Sequence, residues 1–77
     1  MIKFIKIVEK NASVMALFVK PNPNAIFGDE NLVAARFVAD NVSVAKAEKH
    51  CKSKEDWSDE IDIVLDPESG YNKIVKV

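Results

Sequence analysis

The stretch KHCKSKEDWSDEID, residues 49 to 62, brings together side chains that could do chemistry. It holds the single histidine, the single cysteine and the single tryptophan of the chain, with three lysines before the tryptophan and carboxylates on both sides of it. Such residues could form a nucleophile and base, a metal site or a pair of catalytic carboxylates. Spacing decides whether any of these sites is possible.

His50 and Cys51 are adjacent, and on a helix adjacent side chains point about 100° apart, so they do not pair with each other. Metal ligands on a helix recur at spacings such as i, i+4, but positions 47 and 54 are alanine and lysine. The seven acids between residues 55 and 68 do not match a calcium-loop pattern. We therefore expect a buried Cys51, a solvated His50, no enzymatic activity, no cofactor and no metal site.

Trp57 has two possible roles. It could cover the open end of the core, with its indole N–H donating to a backbone acceptor. It could also anchor a partner protein, because tryptophan is common at interface hot spots. In the second case the binding surface would consist of the tryptophan and the acids around it: Trp57, Glu55, Asp56, Asp59 and Glu60.

The lysines before the tryptophan suggest an alternative, a helix that binds nucleic acid through Lys46, Lys49, Lys52 and Lys54. The net charge of −1 does not favour it, and Glu48 lies among these lysines. Residues 1–54 carry nine basic and five acidic side chains, whereas residues 55–77 carry two basic and seven acidic ones. This polarity could steer a partner, or it could let the two parts of the chain attract each other in the fold.

The periodicity predicts five strands and one helix, in the order β-β-β-α-β-β. The segments MIKFIKIVEK and VMALFVK form an antiparallel hairpin through residues 10–12, and PNPN ends the second strand. EIDIVLD and YNKIVKV form a second hairpin through the turn DPESG, with Ile61, Ile63 and Leu65 on one face. The class is α+β, an antiparallel sheet with one helix packed on one face, in two layers.

Residues 31–40 are ambiguous. Asp29 could cap a helix there, or GDEN could be a turn before a strand that places Val33, Ala35, Phe37 and Ala39 on one face. We prefer the strand, because the following helix has its own start signal at Asn41 or Ser43. That helix covers residues 43–54, with Val44, Ala47 and Cys51 as its apolar stripe.

Length and composition predict one soluble domain over residues 1–77. The longest uncharged run, residues 11–19, is too short to cross a membrane. The first ten residues do not resemble a secretory signal, and a single cysteine excludes an internal disulfide. We expect a cytoplasmic protein.

The passage FVADNVSVAKAEKHC and the terminal hairpin DIVLDPESGYNKIVKV resemble, in layout, small accessory proteins of tailed phages. Some anti-CRISPR proteins are similar in build. The resemblance covers about the last 45 residues and implies a phage-encoded inhibitor, located in the host cytoplasm, that binds a host defence or nucleic-acid-handling complex. A third hypothesis is a self-assembling subunit, in which an exposed edge strand pairs with its copy in a homodimer.

Overall fold

The computed structural model describes residues 1–22, 25 and 31–77. Five strands and one helix follow each other in the predicted order. Their bounds are β1 Lys3–Lys10, β2 Ser13–Pro21, β3 Asn31–Phe37, α1 Val44–Cys51, β4 Ile61–Leu65 and β5 Asn72–Lys76. Residues 31–37 are therefore a strand, as preferred from the sequence, while the predicted Asp29 cap and residues 28–30 of the predicted turn lie outside the described residues.

The α+β class is confirmed, but the strands form two sheets where the sequence predicted one. β1, β2 and β3 form an antiparallel sheet in that order, and β4 and β5 form a separate antiparallel pair. β5 packs beside β3, yet no backbone hydrogen bond among the described residues joins these two strands. The second hairpin is therefore held by side-chain packing and not by a continuous ladder.

The first hairpin turns at Asn11 and Ala12, which both have positive φ angles, 51° and 64°. Two central residues with positive φ are typical of the type I′ turn, whose twist matches that of the flanking strands. The pairing of β1 with β2 shifts between Phe4 and Lys6, so Ile5 is an extra residue, 45% exposed. Such a bulge interrupts the free edge of the strand.

One face of the three-stranded sheet, which we call the inner face, carries the core. Ala16 and Phe18 of β2 and Ala34 of β3 are buried there against the helix and the second hairpin. The residues contributed from outside the strands of this sheet are Ile2, Cys51, Trp57, Ile61 and Ile63. Phe18 lies at the centre, with its ring edge-on to Phe4 at 5.9 Å and to Trp57 at 5.7 Å between centroids.

The helix is shorter than the sequence predicted. It starts after Ser43, whose hydroxyl accepts a hydrogen bond from the backbone N–H of Lys46 at 3.2 Å, a typical N-cap. It ends at Cys51, and Lys54 lies beyond it. Ala47 and Cys51 are buried, which confirms two members of the predicted stripe.

The second hairpin agrees with the prediction except at its far end. Ile61 and Ile63 are buried, but Leu65, which shares their side of β4, is 59% exposed. The turn is stabilised as expected: Asp66 accepts hydrogen bonds from Glu68 and Ser69, and Gly70 has a φ of 77°. The tip of the hairpin thus extends past the core, which leaves Leu65 exposed to solvent.

Candidate interaction surfaces

Trp57 lies in the core. Its side chain is 5% exposed, and its indole N–H donates to the backbone oxygen of Cys51 at 3.0 Å. The ring of His50 packs edge-on against it, and the ammonium of Lys54 lies 5.4 Å from the ring centroid. This is the position expected for a side chain that closes the core, and the ring offers little surface to a partner.

Asp56 joins the start of the chain to the segment before β4. Its Oδ1 accepts the backbone N–H of Ile2 at 2.9 Å and that of Ser58 at 3.0 Å. The next residue adds a backbone bond, in which the N–H of Trp57 donates to the oxygen of Ile2 at 2.8 Å. The bond from Ile2, followed by that from Ser58, lowers the pKa of Asp56 to about 2.

A pH dependence follows from this carboxylate. Because the folded pKa of Asp56 lies below the ordinary value near 4, its contribution to stability is present above about pH 4 and is lost as the pH falls towards 2. We expect Asp56→Asn to flatten the fall of the free energy of unfolding between pH 4 and 2, measured by urea titration. Glu55→Gln, at an exposed neighbour, is the control and should keep the wild-type slope. Equal slopes for wild type and Asp56→Asn would contradict the assignment.

Asp59 and Glu60 share one cation. The ammonium of Lys54 lies 3.0 Å from Asp59 and 2.7 Å from Glu60. Hydrogen bonds to Glu60 and then to Asp59 raise the pKa of Lys54. All four acids of the predicted binding surface are exposed. Glu55 is the one for which the structure describes no hydrogen bond or ion pair. The structure thus brings the acids together, but three of them already make contacts within the chain, and their role in binding stays a prediction.

The lysines of the alternative site do not form one continuous patch of free charge. Lys52 pairs with Glu48 at 2.5 Å, one turn away on the helix, and Lys54 is engaged by two carboxylates. Lys46 and Lys49 are the two for which the structure describes no ion pair. Binding of nucleic acid through these lysines stays a prediction, and two of the four are already paired with carboxylates of the same chain.

Cys51 is 4% exposed, and burial raises the pKa of its thiol, an effect that the charge of Arg36 partly offsets. A raised pKa disfavours the thiolate, which is the reactive form. Within residues 1–22, 25 and 31–77, no group of three or more His, Cys, Asp or Glu side chains is placed to hold a metal ion.

Opposite charges from the two parts of the chain meet where β2 lies near β4. The ammonium of Lys20 on β2 donates to the carboxylate of Asp62 on β4 at 2.8 Å, which ties the first sheet to the second hairpin. This hydrogen bond lowers the pKa of Asp62. The side chains remain 30% and 41% exposed, so solvent screens the pair and its net contribution is small.

The second face of the three-stranded sheet, which we call the outer face, was not predicted as a candidate site. Apolar residues occupy it on all three strands, in cross-strand register: Val8, Met15, Leu17, Val19, Val33, Ala35 and Phe37. Val33 is 40% exposed and Phe37 is 46% exposed. The signal was in the sequence, since β2 has apolar residues of both parities, but the sequence does not say which face the helix covers.

The outer face has a basic border. Lys6 pairs with Leu17, and Lys10 pairs with Ser13, so both lysines lie on β1 on the same side of the sheet as the apolar residues. The described residues of this face include no acid. The helix and the second hairpin build the core with the inner face, as shown by the burial of Ala16, Phe18 and Ala34.

Comparison with known proteins gives no relative: no family model, curated protein or solved structure matches this chain. Among the described residues, no helix has the length and apolar character needed to span a membrane.

Proposed function

We propose that this chain is a small, non-catalytic protein-binding module, and that it binds through the outer face of its three-stranded sheet. The observation that carries the proposal is the row of apolar side chains across three strands on a face that the helix and the second hairpin leave to solvent. Antiparallel sheets with one solvated face ordinarily carry polar residues there. An extended apolar patch on a small domain is typical of an interaction site.

The border of the face specifies the partner's chemistry. Lys6 and Lys10 lie along one side, and the described part of the face has no carboxylate. A partner surface with an apolar centre and acidic residues along one edge would match both features. Phe37 and Val33 are the most exposed large apolar side chains of the face, and the aromatic ring of Phe37 offers the larger apolar contact to a partner.

The test has two steps. A photo-crosslinking residue at position 37, introduced into the full chain in its native cells, should trap one dominant protein, whereas the same residue at position 71 should not. Tyr71 is 77% exposed on the other hairpin and is the matched control. The trapped protein, once purified, should bind wild type and Tyr71→Glu equally, and should bind Phe37→Glu at least tenfold more weakly, which corresponds to about 1.4 kcal/mol.

Folding of each variant is checked by circular dichroism. A folded Phe37→Glu variant that binds the purified partner with the wild-type Kd would exclude the outer face. The acidic group and the phage-inhibitor hypothesis are tested with the same partner: Asp59→Ala should leave the Kd unchanged if the outer face is the site, and a tenfold loss would return the proposal to the acids around Trp57.

A further inference from the structure

A groove runs along β5 where the second hairpin packs beside Ala35 and Arg36 of β3. It has a volume of about 690 Å³, within the range of ligand sites. Ala35 and Arg36 of β3 lie on one side, and β5 forms the other. Because β3 is paired with β2 and β5 with β4, each strand has one edge without a ladder partner among the described residues. Exposed strand edges of this kind are where extended peptides add to a sheet.

A second observation points to a missing hydrogen-bond donor. Asn72, the first residue of β5, lines this groove, and its side-chain oxygen is buried without a hydrogen-bond partner. A buried acceptor that is left unsatisfied is costly and rare in folded proteins. The N–H of a bound segment would satisfy it.

The free charge of the groove is positive. Arg36, Lys73 and Lys76 line it, and the structure describes no ion pair for any of them. Among the described residues that line the groove, the two acidic side chains are Asp59 and Glu60, and Lys54 binds both of them. Lys73 and Lys76 are three residues apart on a strand, so they point to opposite faces, with Ile74 and Val75 between them.

From these features we propose that β5 binds an extended acidic peptide segment by strand addition in the groove beside β3. The segment carries the pattern acidic–apolar–apolar–acidic, which sets its carboxylates against the two lysines and its apolar residues against Ile74 and Val75. A second copy of this chain is a poor occupant, because pairing β5 with itself gathers four lysines and no carboxylate in one ladder. Ala35 lies where the groove meets the outer face, but β5 and its lysines are not part of that face, so the proposal does not depend on the function proposed above.

The probe is a capped eight-residue peptide with Glu-Val-Ile-Glu at its centre, titrated into the ¹⁵N-labelled full chain and followed by NMR. We expect saturable shifts of backbone amides in Asn72–Lys76 and Asn31–Phe37. Two control peptides test the mode: one with Lys-Val-Ile-Lys at its centre, and one with N-methylated central amides, which cannot donate to the strand. Both should bind at least tenfold more weakly.

The double variant Lys73→Glu/Lys76→Glu should reverse the preference between the acidic and basic peptides, and Phe37→Ala, which does not change the charge near the groove, should bind the acidic peptide as wild type does. Absence of shifts at millimolar peptide would overturn the proposal. So would equal binding of the acidic and basic peptides, unaffected binding of the N-methylated peptide, or shifts confined to β1 and β2 or to α1. If the double variant does not fold, the N-methylated peptide still tests binding by strand addition, because that experiment uses the wild-type protein.

Discussion

Replacing Trp57 with alanine should leave this protein largely unfolded at room temperature. The side chain is 5% exposed, packs edge-on against Phe18 and donates to the backbone of Cys51. Removing a buried tryptophan costs about 3–5 kcal/mol. A core of this size supplies about 3–5 kcal/mol in total. The loss therefore equals the whole stability of the domain.

Guanidinium titration followed by far-ultraviolet circular dichroism measures this loss. Trp57→Phe is the matched variant, since it keeps an aromatic ring beside Phe18 but leaves the backbone oxygen of Cys51 without its donor, at a cost of about 1–3 kcal/mol. Its midpoint should fall between those of wild type and Trp57→Ala. A Trp57→Ala variant as stable as wild type would show that the tryptophan does not hold the core.

The stability of Trp57→Ala also determines how a binding assay with that variant is interpreted. If Trp57→Ala unfolds the chain, loss of a partner in that variant reports unfolding and not a lost contact. Binding by the surrounding acids must be tested at exposed positions such as Glu55 or Asp59, where replacement leaves the core intact.

Ile63→Ala and Leu65→Ala should differ sharply, although the two residues share one side of β4. Ile63 has no exposed surface and packs with the core, whereas Leu65 is 59% exposed. We expect Ile63→Ala to lower the free energy of unfolding by about 2–5 kcal/mol. Leu65→Ala should change it by about 0.5 kcal/mol or less.

Urea titration of both variants measures the difference. If both variants lose about 2 kcal/mol or more of unfolding free energy, the tip of the second hairpin folds back over the core, contrary to the structure. If neither variant loses a measurable amount, the hairpin contributes little to stability.

Much of the fold could be predicted from local patterns. Alternation in β4 and the turn at Asp66 to Gly70 predicted the second hairpin, and Ser43 predicted the helix start, because these signals involve residues within a few positions of each other. The helix end was placed three residues too late. The lysines after Cys51 favour a helix, yet the backbone there turns towards Trp57, whose indole binds the oxygen of Cys51.

The candidate sites were less predictable. The grouping of Val33, Ala35 and Phe37 on one side of β3 was predicted, but their exposure was not, since it depends on which face the helix covers. The groove beside β5 was also missed. It exists because the five strands divide into two sheets, and no local pattern in the sequence encodes that division.

By itself, the sequence determined the order of strands and helix, the residues that share a face and the lack of local spacing for a reactive centre, because those properties depend on neighbours along the chain. Tertiary structure decided that Trp57 belongs to the core and that the nearby acids bind within the chain, Asp56 to Ile2 and Asp59 to Lys54. It also decided that one apolar face of the sheet is left to solvent. These outcomes depend on contacts between residues far apart in the chain, such as Ile2 with Asp56 and Lys20 with Asp62. Hydrophobic burial is not directional, so only the assembled packing selects which apolar surface is covered.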